Sequence, residues 1–134
     1  MSVYVMIRVA AEAYAMPVDH VREVADLGQL EPVPRARPEL LGIRNLRGQI
    51  LPVVDLARLL GVTRTMPPAR LLVAETGRRR AGFAIDEVSG VGELADPAEE
   101  IDSDLLVGAV LSHGDLIGVI DTPRLFDSLE GTRR

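Results

Sequence analysis

The sequence contains no cysteine and no tryptophan, and its aromatic side chains are limited to Tyr4, Tyr14, Phe83 and Phe126. Without cysteine, disulfides, thiolate metal sites and cysteine nucleophiles are excluded. So few aromatics, scattered along the chain, offer no stacking platform for nucleobases. A formal net charge of −5 argues the same way, because nucleic-acid binding is driven by clustered Lys and Arg. No apolar run approaches the roughly 20 residues of a membrane helix. The N-terminus shows neither the basic stretch nor the apolar segment of a secretory signal. The expectation is a cytoplasmic protein with no membrane insertion.

What is present is an aliphatic chain of one-domain size, with 134 residues of which 47% are hydrophobic. Short apolar runs alternate with Gly, Pro and charged residues. Val3–Val9, Arg44–Leu46, Gln49–Val54, Leu71–Thr76, Ala81–Ile85, Val107–Ser112 and Leu116–Ile120 are predicted strands. Arg47-Gly48, Gly77 to Arg79 and His113-Gly114 are predicted turns between them. Asp55 to Leu60 and Asp121 to Leu129 carry short amphipathic helical patterns, and Asp96-Pro97-Ala98-Glu99 has the residues of a helix start.

The chain also repeats itself. Asp19 to Val24 recurs 67 positions later as Asp86 to Val91, with Met16-Pro17-Val18 matching Phe83-Ala84-Ile85. At an offset of 66, Gly42 falls on Gly108, Gly48 on Gly114 and Asp55 on Asp121. Matches in one order at a near-constant offset indicate a duplication. Units of about 66 residues are too long for a solenoid and suit two small five-stranded barrels. The fold class is mainly β. Asp19, Asp55, Asp86 and Asp121 then close strands, where a carboxylate accepts turn N–H groups or caps a helix.

Sites of chemistry are scarce. Neighbouring carboxylates such as Asp86-Glu87 and Glu99-Glu100 do not converge by local geometry. His20 and His113 have no second ligand at metal spacing. Ser89 and Ser112 lack a nucleophile elbow, and Gly90-Val91-Gly92 lacks a dinucleotide fingerprint. Arg78-Arg79-Arg80 is expected to be a solvated turn that discourages edge pairing. No cofactor, metal or catalytic residue is expected.

The stretch from Gly42 to Leu56 contains Asn45-Leu46-Arg47-Gly48 followed by Leu51-Pro52-Val53-Val54-Asp55-Leu56. With Tyr14 to Val18, Val21, Glu23-Val24, Val33-Pro34 and Phe83 to Val88, it resembles the signature of CheW-like domains from about Val3 to Leu129. The resemblance implies one domain over 1–134, made of two interleaved SH3-like five-stranded β-barrels side by side with short helices. The middle of the chain, about 41–105, would build one barrel, and the N- and C-terminal parts the other. It also implies a non-enzymatic chemosensory adaptor that couples the cytoplasmic tips of chemoreceptors to the regulatory domain of a CheA-type histidine kinase.

Residue by residue, Arg47 matches the signature Arg linked to coupling. Its repeat partner is His113, so the hairpin can be built without Arg. A partner-binding role and a local salt bridge are the two readings. Val21, Glu23 and Val24 match a receptor-facing strand, with core packing the alternative for the valines, and Gly42 matches a close backbone approach at that groove. Gly48 is assigned to the turn. Ala57, where many members carry Arg, and Ala10-Ala11, where a Gly-containing turn is common, depart from the pattern. The competing readings are a divergent CheW-like regulator of one partner, a nucleic-acid-binding barrel, and a hydrolase using Asp86 or Asp121.

Overall fold

The computed structural model describes residues 1–97 and 101–130. The chain runs through β1 (Ser2–Val9), β2 (Glu12–Pro17), a one-turn 3-10 helix (Val18–His20) and β3 (Val21–Asp26). Next come β4 (Leu40–Leu46), β5 (Gln49–Asp55), α1 (Leu56–Leu60), β6 (Arg70–Thr76), β7 (Arg79–Ile85) and β8 (Glu87–Leu94). The described part closes with β9 (Leu106–Ser112), β10 (Asp115–Ile120) and α2 (Thr122–Glu130). All seven expected strands form, within a few residues. The helix start expected at Asp96 to Glu99 and the Glu99-Glu100 pair fall partly or wholly outside the described residues.

β2, β3 and β8 are strands that periodicity did not mark. β2 buries three residues in a row, so it has no alternation. β3 reads Val-Arg-Glu-Val-Ala-Asp, in which apolar and charged residues do not alternate, and β8 contains Gly90 and Gly92, which weaken any strand signal.

The strands form two five-stranded sheets with orders β8-β1-β2-β10-β9 and β3-β6-β7-β5-β4. Under the repeat offset these orders are the same, strand for strand. Each sheet takes its first hairpin from one half of the chain and its other three strands from the other half. This corrects the expected boundary of the middle barrel. Residues 21–26 pair with β6 and residues 87–94 pair with β1, so the middle sheet spans Val21 to Ile85 rather than about 41–105.

Registry repeats too. The parallel pairs Val53↔Gly82 and Val119↔Ala15 are repeat equivalents. So are the register shifts opposite Val73–Ala74, at Arg22, and opposite Met6–Ile7, at Ser89.

Period-two alternation explains the cores. On β6, Leu71 and Val73 enter a cluster belonging to the second sheet, while Leu72 and Ala74 enter a larger one. On β1, Tyr4 enters the first sheet's own cluster, while Val5, Ile7 and Val9 enter that same larger one. The large cluster is thus shared between the sheets, with Phe83, Ile85, Leu56 and Phe126 at zero to 4% exposure. Strands buried on both faces carry continuous apolar runs such as Leu71-Leu72-Val73-Ala74.

Candidate protein-binding site

The hairpin between β4 and β5 turns on Arg47 and Gly48, both with positive φ (51° and 85°). That is the two-residue geometry whose twist matches the flanking strands. Gly48 supplies it without strain, and its N–H donates to Asn45 Oδ1 at 3.0 Å. The equivalent hairpin uses His113 and Gly114 at φ 50° and 83°. Two unrelated side chains therefore serve the same backbone, so the turn does not require arginine.

Arg47 donates to the carboxylate of Glu23 on β3. The structure thus joins two residues that the sequence matched separately. Arg47 remains 68% exposed, and an exposed pair of this kind is worth ~0.2–1 kcal/mol. It is a local ion pair weak enough to exchange for another.

Glu23 reaches this place because of the bulge at Arg22. Val21 pairs with Ala74, whereas Glu23 pairs with the adjacent Val73. Glu23 therefore faces the second sheet's own core, and Val21 and Val24 share the opposite side. Val21 packs on the shared core, while Val24 is exposed along β3 at the sheet edge. Gly42 lies at the far end of β4. A Cβ there would sit 2.5 Å from the Glu31 carbonyl oxygen, and Glu31 and Ile43 exchange backbone hydrogen bonds at 2.8 and 2.9 Å. Gly42 thus admits the 31 backbone against β4.

Four side chains that the sequence did not assign to a site complete it. Gln49, Glu75 and Arg80 lie at the alternate positions beyond Leu51, Val73 and Gly82, and Arg22 sits at the bulge. Arg22, Gln49 and Arg80 join Glu23 and Arg47 in lining a cleft of about 340 Å³ over Leu46, Leu51 and Val73, and Glu75 supports Arg80 from beside it. Arg80 donates to Glu75 through Nε at 3.0 Å and through a terminal nitrogen at 2.7 Å, and also to Gln49 Oε1. Arg22 Nε stands 3.7 Å from the other Glu75 oxygen. Hydrogen bonding from Arg80 holds the Glu75 carboxyl below its ordinary value against the effect of burial, with the charges of Arg80 and Arg22 adding to it.

The arginine run is therefore not a solvated turn. Arg80 enters the cleft and Arg79 turns to α2, leaving Arg78 exposed. Period-two alternation was the signal that could have separated them.

The strand-closing aspartates diverge. Asp121 Oδ1 accepts the Arg124 N–H at 3.2 Å and so caps α2, and Asp86 Oδ2 accepts the Ala11 N–H at 3.1 Å in the neighbouring hairpin. Asp55 precedes α1 but makes no side-chain cap, against the expectation for its place. It is buried and paired with Arg64 through one carboxylate oxygen. His20 Nδ1 lies 2.8 Å from the Thr122 hydroxyl, which ties the 3-10 turn to α2. Among the described residues no group of three or more His, Asp or Glu could hold a metal ion, and no helix is long and apolar enough to cross a membrane.

Two like sheets built by exchanged halves around a shared core, with an Asn-Leu-Arg-Gly hairpin at the mouth of one, define a paired-barrel domain. The model of the CheW-like domain matches residues 3–130, and the chain belongs to that family. It is similar to the chemotaxis protein CheW of Thermotoga maritima, with 31% identity over 88% of this chain and 83% of that protein. Protein FrzA of Myxococcus xanthus is 37% identical over 84% of this chain and 70% of its own. The crystal structure of the scaffolding protein TtCheW from Thermoanaerobacter tengcongensis superimposes with a TM-score of 0.79 at 26% identity, covering 90% and 88% of the two chains.

Proposed function

We propose that this chain is a non-enzymatic chemosensory adaptor of the cytoplasm, coupling chemoreceptor tips to the regulatory domain of a CheA-type histidine kinase. Its relatives' names place them in chemotaxis and scaffolding. The observation that carries the reading is the exposed Arg47–Glu23 pair. It stands at the mouth of a barrel on a turn that does not need it, and an exposed guanidinium offers five donors to a partner's carboxylates or carbonyls. The open edge of β3 borders that surface, and Val24 is exposed on the other face of the same strand.

The test is a titration of the wild type and Arg47→Ala against a cognate kinase regulatory domain and a receptor-tip fragment. Circular dichroism confirms that both forms are folded. The wild type binds both partners, and Arg47→Ala weakens at least one by about tenfold, the scale of a charge-assisted hydrogen bond. Binding to one partner alone would make the chain a regulator of that partner. Equal binding by both forms would reduce Arg47 to a structural residue.

A further inference from the structure

The cleft beside Arg47 has a repeat twin in the first sheet. Arg22, Glu23, Arg47, Gln49 and Arg80 fall on Ser89, Gly90, His113, Asp115 and Ala13, and all five equivalents line one cleft of about 300 Å³. Two of the three apolar floor residues keep their kind, with Met6 and Ile117 in place of Val73 and Leu51, while Ser112 takes the place of Leu46. The twin keeps the hairpin and the bulge with none of the three arginines. Its corresponding rim needs only an Arg8–Asp115 pair, 3.4 Å apart. The fold therefore does not require Arg22, Arg47 and Arg80; they are particular to one cleft.

Three guanidinium groups and the Glu23 carboxylate line that cleft, and with Glu75 behind Arg80 counted as well one positive charge remains in excess, on a protein whose net charge is −5. Glu75 is shared between Arg80 and Arg22, and Glu23 serves Arg47. Arg80 is held by two of its nitrogens on one Glu75 oxygen. Among the described residues its other terminal nitrogen meets only the neutral amide oxygen of Gln49. An entering carboxylate can replace that amide and be met by Arg80 and the exposed Arg47, because a carboxylate brings full opposite charge and fork-on-fork geometry that a neutral amide oxygen does not.

We infer that Arg80, fixed by Glu75, is a specificity-determining residue of the cleft, which receives an Asp or Glu side chain of the partner protein between Arg80 and Arg47. The inference rests on the adaptor reading and gives its interface a chemistry. Arg22 adds attraction from the rim, and Leu46, Leu51 and Val73 contact the acidic residue's apolar stem.

The test titrates whichever partner Arg47→Ala weakens against Arg80→Gln, Arg80→Lys and the double variant Glu75→Gln/Arg80→Gln, each checked for folding by circular dichroism. Arg80→Gln weakens binding about tenfold or more and flattens its salt dependence. Arg80→Lys keeps the charge and retains part of the affinity. The double variant leaves no Glu75 carboxylate stranded without Arg80, while Arg22, 3.7 Å from Glu75 and largely exposed, loses only a distant partner, and it binds as weakly as Arg80→Gln. Changing the responsible partner carboxylate to its amide produces the same loss in wild type and no further loss in Arg80→Gln. Wild-type binding by Arg80→Gln, with Arg47→Ala still weak, overturns the inference and leaves the adaptor reading standing. Restored binding in the double variant also overturns it, since Arg80 would then be only a counter-ion. If the wild type binds neither partner, the adaptor reading itself has failed.

Discussion

Arg79 and Arg80 are consecutive on β7 and leave it by opposite faces. Arg80 joins Glu75 and Gln49 at the cleft, whereas Arg79 reaches across the shared core to α2. There it meets Asp127 at 2.6 Å, Glu130 at 3.1 Å and the Pro123 carbonyl at 3.4 Å. Its guanidinium also lies 5.4 Å from the centre of the Phe126 ring, which packs edge-on against Phe83 at 5.8 Å. One strand thus fastens the last helix with one arginine and furnishes the cleft with the next.

Replacing Arg79 should separate these two roles. In Arg79→Ala, amides of α2 exchange faster while those of β6 and β7 keep their protection, and the melting temperature falls by only a few degrees. Partner binding at the cleft is unchanged. Hydrogen exchange read by mass spectrometry tests this, and uniform loss of protection across the molecule would contradict it.

Gly42→Ala is expected to destabilise the fold by about 2–3 kcal/mol, the scale of a strained backbone joined to a steric clash. The cause is backbone, since the added Cβ would meet the Glu31 carbonyl oxygen at 2.5 Å and φ is 154°. Chemical denaturation measures the loss. A variant of wild-type stability would show that the 31 segment yields without cost.

The hairpin between β1 and β2 presents the reverse case. Ala10 and Ala11 both adopt positive φ, at 53° and 67°, which alanine tolerates poorly. Ala10→Asn with Ala11→Gly suits the same turn and should stabilise the protein by about 1 kcal/mol. A rise in the denaturation midpoint at constant slope would bear this out, and a fall would refute it.

Tyr14 predicts a dependence on alkaline pH. Burial, and secondarily the nearby Glu12, raise its phenol above the ordinary value of 10.0. The folded state thus holds the proton more tightly than the unfolded chain. The resulting stability is fully present below the unfolded value and is lost as pH rises through the folded one. Denaturation of wild type and Tyr14→Phe across that range tests it. The difference between them should change as the pH passes 10.0, to the disadvantage of the wild type, and parallel curves would contradict the assignment.

Much of this molecule was legible because its signals are local or periodic. The duplication foretold two like sheets, and the comparison of Arg47 with His113 already freed the arginine from the turn. The exchange of β3 and β8 between the sheets was not legible, because pairing partners lie far apart in sequence and neither strand carries a strong apolar pattern. Arg22, Glu75 and Arg80 were missed for the same reason. They meet only when β3, β6 and β7 are side by side. Asp55 shows the limit of a motif: it closes a strand before a helix as Asp121 does, yet Arg64 draws it away from capping.

The central claim is that one chain holds a receptor and a kinase together. Sedimentation velocity of the wild-type protein mixed with a cognate receptor-tip fragment and kinase regulatory domain tests it most directly. The account predicts a boundary containing all three components, which is lost when this chain is omitted. Three components sedimenting independently at concentrations well above micromolar would contradict it.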